Sequence, residues 1–400
     1  MEHQKNNSLK KAYKNYDRNY VPKHAAPKPK NGKVRGGEMK KSTPSGRLTA
    51  GNVIMRILIC VVTLLLYLIL ALYLVLFVIC RGPSETVRDS VVLSAEQASA
   101  TKWAPRLFLS KKTVDTIIAN SKKTSTDTVD INSFSGGSSD EWSNAVDGML
   151  FYTVKNSKYK AYVLIIKDPS RVFTGVSSDD FKTATEGMRF VDMAKKYDAI
   201  ALINGGEFSD TGGTGNGAHP IGLTYSQGNC VWSDGSKRTF IGFTKDNKLV
   251  VADSMTKAQA DSMGIRDSVS FQEGNVLITN DGGKVILHKS DDNTGRAQRS
   301  AIGQRKDGAV IMIVTDGRTA SSLGATHNDM IDLMVHYGAI TAGNLDGGSS
   351  VMMYYENYYD KYDYDVSTLD QYQKLGLVNT YKAFTNPRRI PTYFIVSKEK

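Results

Sequence analysis

Four hundred residues with 40% apolar content and 20 tyrosines exclude a wholly disordered chain. The formal net charge is +11, yet 14 of the 51 bases and three of the 40 acids lie between Met1 and Arg56, so that segment carries +11 alone. The remaining 37 bases and 37 acids cancel. A neutral body excludes a nucleic-acid-binding domain, which needs its positive charge on the folded part.

Residues 1–52 read as a basic, Pro-dotted, disordered tail. Ile57 to Cys80 follows as 24 residues without a charge, and about 20 apolar residues cross a bilayer as a helix. The expected span is 53–80, with the lipid bilayer as its partner. A cleaved signal peptide has a shorter core and a small-residue exit, whereas this run starts late and ends Ile79-Cys80-Arg81. A buried core helix is the weaker alternative, because the run is apolar on every face. Bases before the span outnumber those just after it, where Arg81 and Arg88 sit beside Glu85 and Asp89. The positive-inside rule then puts the N-terminus in the cytoplasm and the C-terminal part outside, in a single-pass cell-membrane protein. The tail sets this topology, and attraction to anionic headgroups is its alternative use. Cys60 and Cys80 belong to the span, so Cys230 stands alone beyond it and no disulfide is expected there. Cys230 also lacks the neighbouring His or basic cluster that would activate a thiol.

Residues 81–106 read as a polar stalk, helical around Ser94–Ala100, before a domain at 107–400. Tyr159–Ile166 is a β-prone run closed by Asp168-Pro169. Met188–Tyr197 has the spacing of a short amphipathic helix. Ala199–Ile203 and Ala309–Thr315 are buried-strand candidates, as is the shorter Ala339–Leu345, and Val351–Tyr355 resumes a strand. Thr326 with Asp329 forms a capping-box-like pair at the start of a helix. Met330, Leu333, Met334 and Tyr337 give that helix its apolar stripe, and Gly338 its stop. Gly205–Gly217 and Tyr354–Asp365 read as long loops. The tyrosines of the second offer ring faces to a sugar, or pack on one another. The class is α+β, a mixed β-sheet with flanking helices preceded by one transmembrane helix.

Three apolar strands end in a polar residue and glycine, at Asn204-Gly205-Gly206, Asp316-Gly317-Arg318 and Asn344-Leu345-Asp346-Gly347-Gly348-Ser349-Ser350. Glycine there permits positive φ and close approach of a ligand to the backbone, and successive amides can form an anion nest. One such turn is ordinary strand-exit chemistry; three, with Arg299 and Arg318, point to a site. No G-x-S-x-G elbow or P-loop lysine motif is present.

The strings ALINGGEF at 201–208, HPIGL at 219–223, RSAIG at 299–303, VTDGR at 314–318, SLGATHNDMIDLMVHYGA at 322–339 and NLDGGSS at 344–350 resemble the phosphodiester glycosidase family over about 159–396. Ser349 stands where the family's turn has a third glycine, and Glu207 where an aromatic or another residue is common. The resemblance implies hydrolysis of a sugar-1-phosphodiester to free sugar and a phosphomonoester, with a surface glycan as the substrate class and cell-surface polysaccharide metabolism as the setting. A phosphomonoester, whose second pKa is about 6, leaves more easily than a sugar hydroxyl. The demand for a general acid therefore falls, and the demand for cations and a carboxylate rises. In that scheme Asp346 is base or nucleophile, Asp316 orients or moves a proton, and Glu207 is a further candidate acid. Arg299 and Arg318 take the phosphate as bidentate forks. Asn204, Gly205, Asn344, Gly347, Gly348 and Ser350 offer amides and hydroxyls to sugar or phosphate. Thr326 and His327 lie at the helix N-terminus within reach, although a satisfied surface histidine is the plainer reading of His327. No cofactor is implied; a hard divalent cation, Ca or Mg, is compatible with oxygen donors at such turns, and zinc is not. The rival reading is a non-catalytic carbohydrate- or wall-binding module in exopolysaccharide assembly.

Overall fold

The computed structural model describes residues 50–96, 101–121, 124–134, 139–210, 215–290, 295–317, 319, 322–381 and 386–399. The expected disordered tail therefore lies almost wholly outside the described residues, as does Arg318. The chain divides into two units, Met1–Leu65 and Leu66–Lys400.

Among the described residues, helix α1 (Ala50–Arg81) contains one stretch, Gly51–Arg81, long and apolar enough to cross a membrane; it is exposed up to Val75, with Leu76 and Ile79 half-buried and Cys80 buried at its end. Part of the expected stalk is helical and packs on the first helix of the segment that follows it. Helices α2 (Glu85–Glu96) and α3 (Lys111–Ser121) pack through Val92, Leu93, Val114 and Ile117, so α2 starts earlier than its local pattern suggests. Three further helices matter below: α4 (Phe190–Lys196), α5 (Lys257–Ser262) and α6 (His327–His336).

The largest sheet has eight strands. In spatial order they are β1 (Thr124–Asp130), β12 (Lys284–Ser290), β11 (Val276–Asp281), β15 (Ala339–Asn344), β13 (Ser300–Arg305), β14 (Val310–Thr315), β3 (Lys160–Ile166) and β2 (Met149–Lys155). A five-stranded sheet runs β7 (Asn229–Ser233), β6 (Leu223–Ser226), β10 (Ile265–Phe271), β8 (Thr239–Thr244), β9 (Leu249–Ala252). A four-stranded sheet runs β16 (Met353–Tyr355), β5 (Ala199–Asn204), β17 (Thr392–Ser397), β4 (Val172–Val176).

Burial explains the layering. Tyr162, Leu164, Ile302 and Met312 of the large sheet share one core with Ile203, Ile241, Phe243 and Phe394 of the two smaller ones. The opposite face of the large sheet, with Ala161, Val163 and Ile313, is covered by Met330, Ile331, Leu333 and Met334 of α6. Those methionines are core residues, and α6 opens with a complete Thr326–Asp329 capping box. Phe190, Met193 and Ala194 of α4 cover Leu202 and Ile395 of the four-stranded sheet. The result is an α+β fold with helices on the outer faces.

Register positions the site. Antiparallel pairing sets Ser300 opposite Val314 and Ala301 opposite Asn344. The exits of β14 and β15 thus lie on one sheet edge, either side of the entry to β13, and at about 4.8 Å per strand they are about 10 Å apart. The tyrosine-rich segment takes the second of its two expected forms, with Tyr358 packed on Tyr359, Tyr362 and Tyr364 at 4.8, 5.1 and 5.6 Å. It carries a short helix, α7 (Tyr358–Lys361), with Tyr358 only 3% and Tyr359 only 7% exposed. Tyr358 stacks on Phe151 at 4.8 Å, and the Tyr359 hydroxyl donates to the Leu377 carbonyl at 2.7 Å. These two rings are core, which removes them as a sugar-binding lip.

Candidate active site

The two acidic glycine turns meet around one residue. The carbonyl of Gln298, just before β13, accepts the Gly348 amide at 3.0 Å. Its side chain packs on Gly317, where an added Cβ would fall 2.3 Å from Gln298 Cγ. Gly348 itself sits at φ +62°, in the left-handed region. The third turn joins from the four-stranded sheet. Asp346 donates its amide to the Gly205 carbonyl at 3.1 Å, and its carbonyl accepts Asn204 Nδ2 at 2.7 Å. Asn204 is fully buried and its Oδ1 also accepts the Met352 amide at 3.3 Å, so its carboxamide is used inside the protein.

Asp346 is half-buried by surface area, yet enough protein surrounds its carboxyl that burial pushes the pKa up to about 7. A hydrogen bond from the Ser350 hydroxyl and one from the Gly347 amide at 2.9 Å oppose that rise. The Glu207 charge adds to it, and the Arg388 charge works against it. Glu207 is held by Arg238 Nε at 2.6 Å, and burial outweighs that cation in raising its pKa. Arg388 donates to Asp210 at 2.7 Å and to the Gly215 carbonyl at 3.0 Å, with its guanidinium 4.9 Å over the Phe208 ring. Asp346, Glu207 and Asp210 thus share one electrostatic neighbourhood with two guanidinium groups, Arg238 and Arg388.

Asp316 is placed differently. It is 2% exposed, and its Oδ1 accepts the Thr380 amide at 2.8 Å while Oδ2 accepts the Tyr162 hydroxyl at 3.3 Å. Burial raises its pKa, opposed by the bonds from Thr380, the Lys160 charge and the Tyr162 bond. The segment that supplies Thr380 also grips the other turn: Asn379 Nδ2 donates to the Val351 carbonyl at 3.1 Å, and the Tyr381 hydroxyl donates to the Ser349 carbonyl.

Arg299 and the start of α6 lie where α6 covers the large sheet. Arg299 donates to the Ala325 and Gly295 carbonyls at 2.9 and 3.0 Å, and burial brings its pKa down to about 10. His327 is 5% exposed, which corrects the expectation of a surface residue; the end of β12 packs over it. Its Nε2 lies 2.9 Å from the His288 carbonyl, which can only accept, and its Nδ1 lies 3.2 Å from Asn344 Nδ2. Those partners assign a neutral ring with the proton on Nε2. Burial pushes its pKa down to about 4, in agreement. Asn344 Nδ2 also reaches Asn275 Oδ1 at 3.2 Å, and Thr326 is engaged in its cap. Among the described residues, no group of three or more His, Cys, Asp or Glu side chains is placed to hold a metal ion. Cys230 has its pKa raised by burial, the opposite of an activated thiol.

Sequence reasoning missed Arg388, Arg238, Gln298 and Thr380. The one available signal was Glu207: an acid on a buried strand exit requires a cation, and Arg238 and Arg388 were candidates among many.

The phosphodiester glycosidase family model matches residues 197–397. The chain is 50% identical over 52 residues to the SPbeta prophage-derived uncharacterized protein YomE of Bacillus subtilis (strain 168), a stretch covering 13% of this chain and 8% of that protein. Among solved structures it is similar to the zebrafish N-acetylglucosamine-1-phosphodiester alpha-N-acetylglucosaminidase catalytic domain, auto-inhibited by its pro-peptide. That match has 16% identity and a TM-score of 0.48, over 70% of this chain and 91% of that one. It is also similar to a hypothetical protein from Synechocystis, at 13% identity and a TM-score of 0.39 over 63% of each chain.

Proposed function

The chain belongs to the phosphodiester glycosidase family, and we propose that it hydrolyses a sugar-1-phosphodiester with Asp346 as the proton-accepting carboxylate. Water attacks the anomeric carbon, the bond from that carbon to the phosphate oxygen breaks, and the phosphomonoester leaves with the electron pair. The water proton passes to Asp346. The observation that carries this reading is the position of Asp346: its carboxyl sits at the shared glycine turns with a pKa of about 7. A base that titrates near the working pH combines a useful deprotonated fraction with real proton affinity. Arg388, whose charge reaches Asp346, is assigned to the leaving phosphate together with Arg318, Glu207 holds Arg238, and Arg299, engaged by the Ala325 and Gly295 carbonyls, is assigned to holding α6 on the sheet. Asp316 is assigned to positioning, since both carboxyl oxygens are already occupied.

We further assign the molecule to a membrane surface, with α1 as a single-pass anchor, the basic tail in the cytoplasm and the catalytic domain outside. A cell-surface glycan is then the natural substrate class. The test is to incubate the purified full chain with an N-acetylglucosamine-1-phosphodiester and a panel of other sugar-1-phosphodiesters. Free sugar and phosphomonoester should appear in equal amounts, and Asp346→Asn should lower the rate by at least about 100-fold. Release that is unchanged in that variant, or absent for every panel member, would overturn the assignment.

A further inference from the structure

Residues 101–112, before and at the start of α3, carry none of the proposed site residues and combine large exposed apolar side chains with bases. Trp103 and Leu107 are each 61% exposed, four residues apart across a turn at 101–104 and the 3-10 turn Pro105–Leu107 that follows it. Residues 101–112 hold Lys102, Arg106, Lys111 and Lys112 and no acid. All four bases are exposed. Arg106 donates to the Lys102 carbonyl at 3.0 Å and pairs with Glu96 at 2.7 Å. Exposed Trp and Leu among cations are costly in water and common where a protein meets lipid headgroups.

What lies next to this segment says what covers it. Phe108 is buried against Tyr73 and Phe77, with ring centroids at 5.0 and 6.3 Å, and its carbonyl accepts Arg81 Nε at 2.9 Å. About 20 residues of helix, at about 1.5 Å each, cover the hydrocarbon thickness of a bilayer. Counted from Ile57, where the uncharged run begins, the far boundary falls near Phe77. Phe108 therefore touches α1 across the last turn before that boundary, from Tyr73 to Phe77, and Trp103 and Leu107 lie within one turn or two of it in sequence.

We infer that Trp103 and Leu107, with Lys102, Arg106, Lys111 and Lys112, form a foot that seats in the headgroup layer of the leaflet nearest the C-terminal domain and favours anionic lipid. This rests on α1 spanning the bilayer, and is independent of the hydrolase assignment. The rings and Leu107 enter the interface while the cations face phosphate, so the domain is held close to the surface rather than swinging on its anchor.

The test uses the full chain in vesicles of phosphatidylcholine with phosphatidylglycerol. Retention on vesicles through an alkaline, high-salt wash reports the span by itself; loss there would overturn the span and the foot with it. In the Trp142→Phe, Trp232→Phe background, lipids brominated high on the acyl chain should quench Trp103 emission at least twofold, and aqueous acrylamide should quench it little. Should that background fail to fold, the difference between the wild-type chain and Trp103→Phe isolates the same emission. A chain that survives the wash with Trp103 quenched by acrylamide and not by brominated lipid would overturn the foot alone. Lys102→Gln, Lys111→Gln and Lys112→Gln together should at least halve the lipid quenching, as should omitting phosphatidylglycerol. Equal quenching in phosphatidylcholine alone would overturn the anionic preference.

Discussion

The turns at Asp316 and Asp346 are near-copies in sequence and opposites in structure. Each follows a buried strand of the same sheet with Asp-Gly, and both pack on Gln298. At Asp316 both carboxyl oxygens are filled by the Thr380 amide and the Tyr162 hydroxyl, and the residue is sealed from solvent. At Asp346 the residue is only half-buried, yet burial of its carboxyl outweighs the Ser350 and Gly347 donors and raises the pKa to about 7. The difference suggests a rule for the proposed roles: an acid at a glycine turn serves chemistry where it is less sealed and lies beside a second acid. A fully bonded acid is a structural bracket; an incompletely bonded one beside a second acid can carry a proton.

Exchanging each acid separates the two roles. The largest effect is expected for Asp346→Asn, at least about 100-fold in kcat/KM with the fold intact. Its stability signature has a defined sign. The folded pKa of about 7 lies above the ordinary 3.8, so the folded state binds the extra proton and stability falls as pH rises between those values. Melting of Asp346→Asn should therefore match wild type near about pH 4 and exceed it near about pH 8. A variant that melts lower than wild type at the higher pH would make Asp346 a bracket like Asp316.

At Asp316 the expected order is reversed. Asp316→Ala strands the Thr380 amide and the Tyr162 hydroxyl and should cost about 1–3 kcal/mol in chemical denaturation. Asp316→Asn keeps an oxygen for Thr380, and the Tyr162 hydroxyl can turn to accept, so kcat/KM should fall less than about tenfold. A loss as large as that at Asp346 would put both acids into the chemistry and erase the contrast. Arg388→Gln removes a cation that lowers the Asp346 pKa, so the midpoint of the pH–rate profile should move upward; an unmoved midpoint would detach Arg388 from the site. The smallest effect belongs to Tyr162→Phe, about 1 kcal/mol in stability with the pH midpoint unchanged.

Much of the scaffold was legible because its signals are local. The β-branched runs became β3, β5 and β14 within a residue of their expected limits, and Thr326 with Asp329 marked the start of α6. The contrast between the two acids was not legible, because its causes lie far off in the chain. Asp316 is closed by residues 154 positions before it and 64 after it. Arg388 acts on Asp346 from beyond β16, in a stretch whose only local feature is Pro387 followed by two arginines. His327 was misplaced, and the choice between the two readings of Tyr358 left open, for the same reason. A helix start and a tyrosine-rich loop carry no local mark of the β12 end or of the Phe151 ring that buries them.

The pH dependence of kcat/KM for sugar-1-phosphodiester hydrolysis, measured side by side on the wild-type chain and Asp346→Asn, tests the account most directly. The account predicts a wild-type rate that climbs with pH through a midpoint of about 7 and then levels, as the Asp346 carboxyl ionises, above a variant that stays flat near the baseline. A wild-type profile with no step in that range, or a variant that reproduces the wild-type curve, would contradict it.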